Sequence, residues 1–197
     1  MHPLQRIRAV LKAEADAIGS VHVTPDYASA VQMLATCAGK VVTMGMGKAG
    51  IVARKVAATL CSTGTPALFL HPGDAAHGDL GVLTSADVIL AYSTSGKTVE
   101  VLESLASARR LGVAAIVGIT SHPNTPFRDR CDLVLEMGVI EEPCPLGLTP
   151  SASTAVMLAI GDALALAVME VKGVTVDGFG VRHRSGYLGQ LANGQAA

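Results

Sequence analysis

The chain has 197 residues, 50% of them hydrophobic, a formal charge of −1, no Trp and only three Phe and three Tyr. At this length one compact domain is the default, and scattered Lys and Arg with few stacking aromatics exclude nucleic acid as an expected partner. Cys37, Cys61, Cys131 and Cys144 form no C-x-x-C pair and no zinc spacing, so they read as reduced core thiols of a cytoplasmic protein, with no disulfide and no metal site.

In chain order, MHPLQRIRAVLKAEADAIG places Leu4, Ile7 and Leu11 on one face of a helix over 3–18, and a second helix follows over 26–38. The stretch lacks the unbroken apolar run of a signal peptide, and Glu14 and Asp16 speak against a transit peptide. Strands are predicted near 41–45, 67–70, 88–93, 113–119 and 133–137, alternating with helices near 50–61, 98–111 and 125–130. That alternation predicts βαβ units and a parallel sheet covered on both faces, and VILAYS and VAAIVGIT read as doubly buried strands. The apolar segment SASTAVMLAIGDALALAVMEVKG has the length of a membrane span, but Asp162 in its middle and Glu170 near its end are costly at bilayer depth. It is predicted as a buried helix over 151–172, shared with a partner subunit, and the residues after it as a polar tail. The expected organisation is a single α/β domain: N-terminal helices 1–39, a sheet core 40–150, and a C-terminal helix and tail 151–197.

In an open parallel sheet, ligands sit beyond the carboxyl ends of the strands, which directs attention to loops 45–50, 71–81, 93–98 and 138–150. GMGKAG, with Gly45, Gly47 and Gly50, satisfies G-x-G-x-x-G between a strand and a helix. A nicotinamide fingerprint also needs an acid at the tip of the second strand, and LFLHPG has none. A triphosphate loop needs Gly where Val42 stands and Ser or Thr where Ala49 follows Lys48. What remains is a tight turn that brings backbone and the Lys48 ammonium to a helix N-terminus. A second such turn follows the third strand: Ser93, Thr94, Ser95 and Thr98 surround Gly96 where strand becomes helix, a nest suited to one phosphate group. Ordinary N-capping needs one hydroxyl, and four are present.

These residues carry a resemblance. GMGKAG, STGTP, HPGDAAHGDLG, EEPCPLGLTPSAST and GDALALA together resemble the sugar isomerase (SIS) domain family, and within it the arabinose 5-phosphate isomerases of the Kdo pathway of lipopolysaccharide biosynthesis. The likeness covers roughly residues 40–190. It implies a three-layer αβα sandwich with a five-stranded parallel flavodoxin-like sheet, a homotetramer, and sugar-phosphate sites between subunits. It places the family's functional residues on Lys48, His77, Glu100, Glu142 and His183. The chain departs from the family in three ways. It stops soon after YLGQ, as in a short form without the CBS pair; HRSG stands where His-Pro-Gly-Gly is usual; and Lys97 stands where relatives often carry an acid.

The implied chemistry moves a carbonyl between C1 and C2 through an enediolate, which takes at least two proton-transfer groups and an electrostatic clamp but no redox cofactor or metal. Lys48, Glu100, Glu142 and His183 are the expected catalytic residues. Gly47, His77, Ser93, Thr94, Ser95, Gly96 and Thr98 are expected to bind the sugar phosphate. Pro143 biases Glu142 toward an extended conformation that fixes its direction, while Lys97 stands where a capping box with Glu100 would need Ser or Thr. Beside the isomerase stand an isomerase of another sugar phosphate, a non-catalytic sugar-phosphate sensor and, more weakly, a nicotinamide enzyme built on Gly45, Gly47 and Gly50.

Overall fold

A computed structural model describes residues 2–194. Helices α1 (Pro3–Gly19) and α2 (Pro25–Ala35) precede β1 (Val41–Gly45), α3 (Gly47–Ser62), β2 (Ala67–Leu70) and a single turn α4 (Pro72–Ala75). Then come β3 (Val88–Tyr92), α5 (Val99–Arg110), β4 (Ala115–Thr120), β5 (Leu133–Glu136), α6 (Ala152–Val171), α7 (Val176–Arg182) and α8 (Gly186–Ala192).

All five strands run parallel in the order β2-β1-β3-β4-β5, with Val41 level with Ala67 and Val88, Val88 with Ala115, and Val117 with Leu133. This is the flavodoxin-like order, whose reversal point lies between β1 and β3. The period of two along β3 sorts its side chains. Leu90 and Tyr92 enter a core with Leu34, Val56, Leu60, Met157 and Leu164 from α2, α3 and α6. Ile89 and Ala91 enter the opposite core with Val101, Leu105, Ile116 and Phe127. Every residue of β1 and β3 is buried, which is why β3 reads as an apolar run; in β1 the run is broken by Thr43, whose Oγ1 donates to the Ala53 carbonyl at 2.8 Å.

Two glycines set how closely the layers approach. A Cβ on Gly50 would fall 2.5 Å from the Gly45 carbonyl oxygen, so α3 can start hard against the end of β1 only with glycine there. A Cβ on Gly161 would collide with Val56 and lie 2.7 Å from the Tyr92 hydroxyl, so glycine lets α6 pack on α3 and β3.

Among the described residues α6 is the one helix long and apolar enough to cross a membrane, and half of that stretch is buried in the protein. Its mid-helix acid has a partner: Lys55 Nζ on α3 lies 2.5 Å from Asp162 Oδ2. Leu166 on the same helix is left 56% exposed in the protomer, together with Leu4, Ile7 and Leu11 on α1.

Several sequence expectations need correction. The helix expected over 125–130 is only a 3-10 turn at Arg128–Arg130, the segment being too short to offset the cost of nucleating an α-helix. The expected polar tail instead folds into α7 and α8, with Thr175 Oγ1 capping α7 by accepting from Gly178 N–H at 3.1 Å. The helix α3 starts at Gly47, three positions before its apolar face begins. Of the thiols expected in the core, Cys37 and Cys131 pack partly buried against the two apolar cores, whereas Cys61 is exposed and Cys144 is partly buried outside them. Burial still pushes the Cys131 thiol up to about 12. In contrast, the N–H groups of Thr149 and Leu148 on Cys144 Sγ pull that thiol down to about 6.

Candidate active site

Beyond the carboxyl ends of β1 and β3, at the reversal of strand order, lies a cavity of about 220 Å³. The β1–α3 turn contributes Met46, Lys48 and Ala49, the β3–α5 turn contributes Ser93, Thr94, Ser95 and Thr98, and Pro150 and Thr154 close it from the start of α6. A larger hollow of about 360 Å³ between α2 and α6 is walled almost entirely by apolar side chains such as Val31, Ile160 and Leu164. It has nothing to hold a charged sugar.

Two glycines in the left-handed region make the turns: Gly47 at φ 56° and Gly96 at φ 63°. Gly96 N–H donates to the Ser93 carbonyl at 3.2 Å and closes the second turn. Ser93 Oγ and Thr98 Oγ1 share a hydrogen bond of 3.1 Å, and Ser95 Oγ accepts from Lys97 N–H at 3.2 Å. Thr98 is the N-cap residue of α5, yet no side chain caps that helix. The expectation that the hydroxyls exceed what capping needs therefore takes a stronger form, since none of them is used as a cap.

Lys48 occupies the first turn of α3, where the macrodipole favours an anion rather than a cation. No acid stands in that turn, and Lys48 makes no salt bridge among the described residues. An exposed ammonium and two helix N-termini thus meet around one cluster of hydroxyls. The arrangement is complementary to a dianionic monoester, and an incoming phosphate relieves the repulsion rather than creating it.

Glu142 is not among the lining residues but is hydrogen-bonded to the backbone between two of them, Pro150 and Thr154. Its Oε2 accepts from Ser151 N–H at 2.8 Å and Ala152 N–H at 2.9 Å, and its Oε1 from Ser153 N–H at 3.3 Å. The side chain therefore caps α6 and fixes the stretch that carries Pro150 and Thr154. A carboxylate has about four lone-pair sites, so one on Oε1 stays open for a proton. Glu141 is exposed, consistent with neighbouring side chains on extended backbone pointing apart.

The remaining candidates lie elsewhere in the protomer. Glu100 is exposed and lines a different groove, with Pro72, Glu103, Ser104 and Arg110. His77 is exposed in the turn after α4. His71 is structural, its Nδ1 accepting from Gly73 N–H at 3.2 Å to cap α4. His183 closes α7, stacked on Phe179 with ring centres 3.9 Å apart and Nδ1 3.0 Å from the Phe179 carbonyl. One protomer therefore unites Lys48, Ser93, Thr94, Ser95 and Thr98, shaped by Gly47 and Gly96, with Glu142 at the wall. It does not bring Glu100, His77 or His183 to them. Sequence reasoning missed Pro150 and Thr154, although the small hydroxylic run TPSAST before an apolar helix was the available signal.

Comparison with known proteins shows the family and the fold. The profile of the SIS domain matches residues 13–167. The chain is 42% identical over 192 residues to "Arabinose 5-phosphate isomerase KdsD" of Pseudomonas aeruginosa, covering 96% of this chain and 58% of that protein. It is 42% identical over 185 residues to the protein of the same name in Escherichia coli K12, covering 93% and 56%. The chain thus spans somewhat over half the length of these curated relatives. Among solved structures, E. coli CFT073 c3406 in complex with arabinose 5-phosphate superposes with a TM-score of 0.87 at 41% identity, over 91% of this chain and 96% of that one.

Proposed function

The chain belongs to the SIS domain family, and from that premise we propose that it is an aldose-ketose isomerase interconverting D-ribulose 5-phosphate and D-arabinose 5-phosphate. The observation that carries the proposal is the convergence of Lys48, the uncapped start of α5 and four hydroxyls on one cavity at the β1/β3 reversal. The names of the two curated relatives and the sugar-phosphate complex of a third supply the sugar.

In this reading the monoester sits on Ser93 to Thr98. The sugar chain extends toward Lys48, whose charge stabilises the enediolate oxygens. Glu142 removes the proton from C2 of the open-chain aldose and returns it to C1, while a second group exchanges protons between O1 and O2. The reaction is redox-neutral and takes up no other atom, so it needs no redox cofactor. Glu100, His77 and His183, which do not line the cavity of their own protomer, reach it from neighbouring copies in a homotetramer. The exposed apolar residues on α1 and α6 support such an assembly. We place the enzyme in the cytoplasm, supplying arabinose 5-phosphate to Kdo and lipopolysaccharide synthesis.

Direct turnover tests the proposal. Arabinose 5-phosphate and ribulose 5-phosphate are expected to interconvert, with kcat/KM about tenfold or more above other pentose, hexulose and heptose phosphates. Binding of all these sugars with no isomerisation of any would make the chain a sensor instead.

A further inference from the structure

The segment after β4 holds the phosphate-binding turn from below. The carbonyl oxygen of Thr94 accepts from Ser121 N–H at 3.1 Å and from Thr120 Oγ1 at 3.2 Å, and His122 Nδ1 lies 3.1 Å from it. A carbonyl can only accept, so Nδ1 carries a proton whether the ring is neutral or charged. Thr120 Oγ1 in turn accepts from His122 N–H at 3.1 Å, and Thr125 Oγ1 donates to the His122 carbonyl at 2.9 Å. The same segment packs under Gly96, where a Cβ would strike Thr125 Oγ1 and lie 3.1 Å from the His122 carbonyl.

The three groups that meet the Thr94 oxygen have a directional consequence. A trans peptide is planar, so the Thr94 carbonyl and the Ser95 N–H point in opposite directions. Fixing the carbonyl down onto the end of β4 therefore aims the Ser95 N–H away from β4. That N–H donates to no other backbone group among the described residues. Thr94 and Ser95 both line the cavity.

We infer that His122 is a positioning residue for phosphate binding: its Nδ1–H holds the Thr94–Ser95 peptide so that the Ser95 N–H is presented to the monoester of the substrate. The inference rests on the reading that the phosphate occupies the Ser93 to Thr98 turn. Because the monoester does not change during the reaction, its grip is equal in ground and transition states, and loosening it raises KM without lowering kcat.

The test uses the full chain, inorganic phosphate as the binding probe and arabinose 5-phosphate as substrate. His122→Ala and His122→Phe are expected to weaken phosphate and raise KM about tenfold with kcat unchanged, the loss of one charge-assisted anchor. His122→Asn, whose amide nitrogen falls near the position of Nδ1, is expected to stay within about twofold of the parent. His122 is exposed, so these changes remove no core packing, and the Phe variant keeps a ring in place. Thr98→Val serves as the control for the turn itself. If Thr98→Val weakens phosphate while the Ala and Phe variants at 122 do not, the role of His122 is overturned and the phosphate site stands. An Asn variant as weak as Ala overturns it too, since the ring rather than the donor would then matter. If Thr98→Val also leaves phosphate binding untouched, the phosphate site itself is refuted.

Discussion

Replacing Glu142 with Gln abolishes most isomerisation: proton exchange at C2 of arabinose 5-phosphate falls by about 10²–10⁴-fold, the range for loss of a general base, while the sugar phosphate still binds. Three backbone N–H groups of α6 already occupy three lone-pair sites of this carboxylate. Only the charged acid offers a further site basic enough to take a carbon-bound proton. The amide keeps one acceptor oxygen but turns its NH₂ toward N–H donors, which costs roughly 1–3 kcal/mol of local stability. The two roles separate by measurement. A capping role alone lowers Tm and leaves exchange per folded molecule intact, whereas a base removes exchange in protein that remains folded and saturable. Unchanged exchange would take Glu142 out of the mechanism and leave it as the cap of α6.

The largest expected effect on stability comes from the opposite end of the sheet. Asp87 is 1% exposed and ties β3 to the start of β1, with Lys40 Nζ at 2.7 Å, Lys40 N–H at 2.9 Å and Thr84 N–H at 2.7 Å. Asp87→Ala leaves the Lys40 ammonium and two N–H groups without their acceptor. A loss of about 3–5 kcal/mol follows, with Tm lower by roughly 6–20 °C. Burial pushes the Asp87 carboxyl up, but the hydrogen bonds from Lys40 and Thr84 outweigh it, so the group titrates below its ordinary value of 3.8. A depressed folded pKa means that its stabilisation is complete above 3.8 and disappears as the pH falls from there through the folded value. Urea titrations between pH 6 and pH 2 should show that acid limb in the parent and a flatter one in Asp87→Asn. Equal limbs in both proteins would mean that the pair contributes nothing.

What could be read from the sequence follows from how local each signal is. The strands β3 and β4 declared themselves because burial on both faces leaves VILAY and AIVGIT almost wholly apolar, with Thr120 at the end of β4 the exception. The two ligand turns were legible because their glycines and hydroxyls are consecutive, so the chain needs no distant partner to form them. Glu100 reads as a member of the same cluster, being two residues past Thr98. On a helix, however, two positions correspond to about 200° of rotation, and its side chain serves the groove beside Arg110 instead. The capping of α6 by Glu142 spans up to 11 positions and the His122 contact with Thr94 spans 28. No periodicity or spacing rule reaches across such separations. The helices α7 and α8 were hidden by Gly178, Gly180 and Gly189, which lower helix propensity. One of these is required by packing: a Cβ on Gly189 would strike the His183 carbonyl.

One crystal decides the central point. Soaked with arabinose 5-phosphate, it should show phosphorus density held by Ser93, Ser95, Thr98 and the first N–H groups of α5, with C1 and C2 turned toward Lys48 and Glu142. Density for the monoester in the groove beside Glu100 and Arg110, or in the apolar hollow against α6, with the Ser93 to Thr98 turn empty, would contradict it.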